Sequence, residues 1–101
     1  MSPNLRQFYR DYLAWVESGE RSDVFTSNFG LCWNLNLWGR RRGLSTLDRE
    51  ELPRELTLQF VAAGLPGDHP FNSSSLEYDA EPNKTLNPKR IAWVREHAQG
   101  E

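Results

Sequence analysis

Residues Phe29–Gly43 read FGLCWNLNLWGRRRG, and whether they coil or extend decides the fold of the chain. Apolar residues at Phe29, Leu31, Trp33, Leu35 and Leu37 alternate with period two, as in a half-buried strand. The same letters put Leu31, Leu35 and Trp38 at i, i+4 and i+7, with Trp33 and Leu37 on an adjoining row, as on the buried face of a helix. Ser27 or Asn28 is placed to cap such a helix, and Gly39 or Gly43 to end it. Composition arbitrates: the chain holds 13 Leu against four Val and one Ile, and strands favour β-branched residues. The expectation is a mainly α chain of three to four short helices, with α+β, a strand over residues 29–37, as the alternative.

The stretch ends in the triplet Arg40, Arg41 and Arg42 between Gly39 and Gly43. Flanking glycines place three guanidiniums on a turn rather than in a core. Arginine beside tryptophan suits phosphate contacts and base stacking, or an acidic protein partner. Cations closing a helix C-terminus, complementing its dipole, are the structural alternative.

Working outward, Ser2-Pro3 opens a first helix as N-cap and first helical residue, with Asn4 and Gln7 a second capping pair. Leu5, Phe8, Tyr9, Tyr12, Leu13 and Val16 make one apolar stripe that Gly19 ends, with Trp15 at its edge. The polar connector that follows is anchored by Val24 and Phe25. After Gly43, Asp48-Arg49-Glu50-Glu51 is an acidic lead into a helix that keeps Pro53 in its first turn. Leu52, Leu56, Phe60 and Ala63 share its inner face, and Gly64-Leu65-Pro66 is a Schellman-type stop. Residues 66–86 lack periodicity. Irregular segments of this length are often functional, and Phe71 with Asn72 forms an anchored turn within it, next to His69. Asn87-Pro88 starts a last helix with Ile91, Val94 and Ala98 on one row, where Trp93 pairs with Arg90 or Lys89 as Trp38 does with Arg40.

At 101 residues and 11.7 kDa the chain forms a single domain. Its formal charge of −2 and pI near 5.7 argue against dedicated duplex-DNA binding. The charge is uneven, however: residues 29–47 hold three arginines and no acid, whereas residues 65–86 hold Asp68, Glu77, Asp79 and Glu81 against Lys84. Opposed patches permit a homodimer as well as a monomer. One cysteine, Cys32 among apolar neighbours, excludes an internal disulfide and reads as a small buried hydrophobe in a reducing compartment. With no charged-then-apolar leader and no apolar run of about 18 residues, neither secretion nor a membrane span is expected.

Two histidines, His69 and His97, without HxxxH, CxxC or Glu-x-x-His spacing give no metal site. No phosphate-binding glycine loop and no GxSxG elbow are present, so no cofactor is expected. His69 beside Asp68 is the one acid–base pair to consider, and adjacent residues in a loop are more often a solvated turn.

The succession NFGLCWNL, AAGLP, HPFN and NPKRIAWVREH resembles the small uncharacterised proteins of tailed bacteriophages and prophages. That resemblance covers most of the chain and carries over no individual residue. It implies a class of role: a non-enzymatic accessory protein that binds and inhibits or modulates a host enzyme or defence system in the bacterial cytoplasm. The expected contact residues are Trp38, Arg40, Arg41, Arg42, His69, Phe71, Asn72, Arg90 and Trp93. A nucleic-acid or nucleotide-binding module using the Arg/Trp pairs is the alternative, and a small enzyme around His69 and Asp68 the third reading.

Overall fold

In the computed structural model, which describes residues 1–26, 30–65 and 88–98, the deciding stretch is helical. Four helices are described: α1 (Pro3–Ser18), α2 (Leu31–Arg41), α3 (Thr46–Ala62) and α4 (Pro88–Ala98). The chain is thus mainly α, and the strand alternative is set aside. α1 packs on α3 and α4, and α2 packs on α3. A radius of gyration of 12.4 Å matches the roughly 13 Å of a compact chain of about 100 residues.

α1 starts as its sequence demands. Ser2 Oγ accepts the Leu5 N–H at 3.3 Å, Pro3 takes the first helical position, and Gly19 at φ +68° closes the helix by donating its N–H to the Trp15 carbonyl. Gln7 does not serve in a second cap; its Nε2 donates to Asp11 Oδ1 instead. The Glu55 carboxylate of α3 receives both the Ser2 N–H (2.8 Å) and its hydroxyl (2.6 Å), which pins the start of α1 across the molecule. Leu5, Phe8, Tyr9, Tyr12 and Leu13 are buried.

Gly30 caps α2 without a side-chain bond, and Ser27 and Asn28 lie outside the described residues. The helix runs through Gly39 and ends in a Schellman motif: the Leu44 N–H reaches the Gly39 carbonyl at 3.0 Å, the Gly43 N–H reaches that of Arg40 at 3.1 Å, and Gly43 takes φ +70°. Gly39 is where α2 meets α3, since a Cβ there would lie 3.0 Å from Arg49 Cγ. Cys32 is buried, with Sγ 4.0 Å from Thr57 Oγ1.

α3 begins earlier than the acidic run implied, because Ser45 Oγ accepts the Asp48 N–H at 3.1 Å and fixes the first turn at Thr46. Pro53 therefore stands inside the helix, not in its first turn. Its neighbours Leu52, Leu56 and Phe60 are all buried, and their packing overrides the local preference against proline. Ala63, expected on that inner face, is the exposed C-cap. The predicted stop is present: Leu65 N–H to Phe60 carbonyl at 2.8 Å, Gly64 N–H to Val61 carbonyl at 3.0 Å, and Leu65 half-buried against the core.

Aromatic rings dominate the core. Phe8 contacts Tyr9, Tyr12, Phe25 and Trp38 at centroid distances of 5.5–6.4 Å, while Tyr9 and Phe60 hold the edge-on ring of Trp93 at 5.9 and 5.3 Å. Rings in these tilted and edge-to-face arrangements contribute beyond their buried area. Phe25 anchors the connector as expected, with the hydroxyl of Ser22 accepting the N–H groups of Val24 and Phe25.

Candidate functional site

Of the expected contact residues that are described, only the arginine triplet is fully presented to solvent. Trp38 is 4% exposed; its Nε1 donates to Asp11 Oδ2 at 2.8 Å, and one edge of its ring packs on Phe8. It binds α2 to α1 and is no stacking platform. Arg90 is wholly buried. It occupies the inner row of α4 with Val94 and Ala98, while Ile91, expected on that row, is half-buried. Its guanidinium lies 5.2 Å from the Phe60 ring centroid. A flat, weakly hydrated guanidinium over a ring face is one of the contacts that help an arginine occupy such a position. Trp93 is half-buried, stacked on His97 at 4.2 Å. Over Trp38 the expected partner Arg40 is replaced by Arg42. His69, Phe71 and Asn72, with Asp68, lie outside the described residues.

The arginine over Trp38 is Arg42, with its guanidinium carbon 4.8 Å from the ring centroid. Arg41 Nη2 lies 3.3 Å from Asp23 Oδ2, an ion pair exposed at both ends and worth at most about 1 kcal/mol. Arg40 makes no ion pair among the described residues. Two Schellman bonds define the backbone of the turn that carries all three arginines, and Leu44, partly buried, packs its far side against the core.

At about 100° per residue, Trp33, Leu37 and Arg40 share the outer face of α2. Trp33 is 42% exposed and Leu37 half-buried, so this face carries an accessible tryptophan seven residues before the first arginine. Sequence reasoning chose Trp38; the i, i+7 spacing from Arg40 back to Trp33 was the signal for the other ring. Tryptophan and arginine are the residues most enriched among those that carry binding energy at protein interfaces.

An open depression of about 550 Å³ lies where α1, α3 and α4 meet, lined among others by Met1, Arg6, Gln59, Trp93 and His97. Gln59 Oε1 accepts the Tyr9 hydroxyl at 3.1 Å, and His97 Nδ1 is 2.8 Å from the Trp93 carbonyl, so that nitrogen donates when it carries the proton. No sequence signal marks this place, because it is assembled from three helix ends. Burial holds the hydroxyls of Tyr9 and Tyr12 well above the usual phenol range, with Glu55 adding to the effect at Tyr9 and Arg90 opposing it at Tyr12. Both are structural phenols, too buried to exchange protons with a ligand.

Among the described residues no three His, Cys, Asp or Glu side chains converge as metal ligands, and no helix is long and apolar enough to cross a membrane. Comparison of the chain with protein-family models, curated proteins and solved structures finds no match.

Proposed function

We propose that this chain is a non-catalytic interaction domain that engages an acidic surface of a partner protein through the outer face of α2 and the turn that ends it. The supporting observation is the exposed Trp33–Arg40 face, continued at the helix end by the exposed Arg41 on a backbone fixed by two Schellman bonds, with the exposed Arg42 turned back over Trp38. A preordered turn loses little conformational entropy on binding, and exposed arginines steer encounter with an acidic partner. The resemblance to tailed-bacteriophage accessory proteins makes a bacterial host enzyme or defence component the class of partner, met in the host cytoplasm.

Nucleic-acid binding is the lesser reading. Stacking on bases needs aromatic faces open to solvent; Trp38 and Trp93 are engaged by neighbouring rings, which leaves Trp33 as the exposed tryptophan on the arginine-bearing face, and a net charge of −2 weighs against a phosphate backbone. The test is affinity capture from nuclease-treated bacterial lysate by the parent chain and by the Arg40→Ala/Arg41→Ala/Arg42→Ala variant. A discrete protein bound by the parent and lost from the variant is the expected result. Recovery of nucleic acid from untreated lysate alone, or equal capture by parent and variant, would overturn the reading.

A further inference from the structure

α3 buries one face and exposes apolar residues on the face directly opposite. Leu52, Leu56 and Phe60 point into the core, whereas Leu47, Leu58 and Val61 are 62%, 70% and 59% exposed. At about 100° per residue, Leu47, Glu51, Arg54, Leu58 and Val61 fall within about 40° of one line, spaced alternately four and three apart. That is the seam of a two-helix contact rather than of a solvated surface. Glu51 and Arg54, both exposed, occupy its middle, and neither forms an ion pair among the described residues.

We infer that a second copy of this chain docks on this face, with the two α3 helices antiparallel about a twofold axis. Charge order selects that occupant. Laid antiparallel so that the two Glu51–Arg54 segments overlap, Glu51 of each copy faces Arg54 of the other. The same register sets Leu47 against Leu58, twice. A parallel arrangement would instead set Glu51 on Glu51 and Arg54 on Arg54. Antiparallel helix dipoles add to the preference, and a twofold contact is self-complementary by construction. A single pair of helices lies at the small end of specific interfaces, below about 1,200 Å² in total, so the dimer is weak and concentration-dependent.

Sedimentation equilibrium of the full chain over about 1 to 100 µM tests this directly. The parent should pass from monomer to dimer across that range. Leu58→Glu, a change at an exposed position that leaves the core intact, should weaken association about tenfold or more. Glu51→Arg alone and Arg54→Glu alone should each be monomeric, and an equimolar mixture of the two single variants should dimerise again, because every cross-pair is then of opposite sign. Circular dichroism confirms that each variant remains helical. A parent that stays monomeric throughout, a dimer that survives Leu58→Glu, or charge-reversed variants that associate like the parent would each overturn the inference.

Discussion

The carboxamide of Asn34 does for the chain before α2 what a neighbouring strand would do. Wholly buried, its Oδ1 accepts the Thr26 N–H at 2.8 Å, and its Nδ2 donates to the carbonyls of Thr26 and Gly30 at 3.2 Å each. Asn34→Ala removes these bonds and should lower unfolding free energy by about 2–3 kcal/mol in urea titration, the cost of leaving such groups without partners; a loss below about 0.5 kcal/mol would show the network to be dispensable. Tyr9 and Tyr12 should oppose folding at alkaline pH. Their folded pKa values are raised by burial, so the unfolded chain ionises first, near the ordinary phenol value of about 10. The contribution of both phenols is full below that pH and is lost as pH climbs toward the folded values. Phenolate absorbance from these two residues should rise together with loss of helical dichroism, not before it. Neither Asn34 nor Arg90 was legible in the sequence, because a polar letter between apolar ones reads as an outward position. Only the folded chain shows that local carbonyls and the Phe60 ring make those two interior.

Caps and stops behave as local chemistry dictates. Ser2-Pro3, Gly19, Gly43 and Gly64-Leu65 each act where their letters place them, since a hydroxyl cap or a left-handed glycine needs only its own neighbours. Gly43→Ala forces a side chain into φ +70° with nothing within 4 Å for it to clash with or pack on, so it should cost about 1 kcal/mol through backbone strain alone. Thermal melts of the variant check this, and an unchanged midpoint would contradict the motif. Pro53 is the element the sequence misled on, because its first-turn preference yields to Leu52, Leu56 and Phe60 packing on either side. Pro53→Ala restores a helical N–H and removes a cost of about 3 kcal/mol while losing about two buried methylenes, worth about 1.6 kcal/mol. A net gain near 1 kcal/mol in chemical denaturation is expected; destabilisation by a similar amount would mean that the ring's packing dominates.

At the scale of the molecule, helical periodicity and end signals were enough to read the class of fold, whereas the surfaces depended on how the helices rotate against one another. Rotation of α2 puts Trp38 inside and Trp33 outside, and rotation of α4 carries Arg90 inward. Periodicity alone defines a stripe without saying which of its edges meets solvent, so the arginine turn was legible, while the i, i+7 link from Arg40 to Trp33 singles out the aromatic companion only once the buried edge of α2 is known. If the α2 face binds as proposed, Trp33→Ala should weaken partner binding by about tenfold or more, the loss typical of a tryptophan central to an interface. The triple arginine variant should also flatten the dependence of association rate on ionic strength. The most direct measurement is site-specific photocrosslinking in bacterial lysate, with a benzophenone-bearing residue in place of Asn36 on the α2 face or of Ala14, exposed on α1. A discrete protein adduct from position 36 that position 14 does not give is the expected result; an adduct from position 14 with none from position 36 would contradict binding through the α2 face.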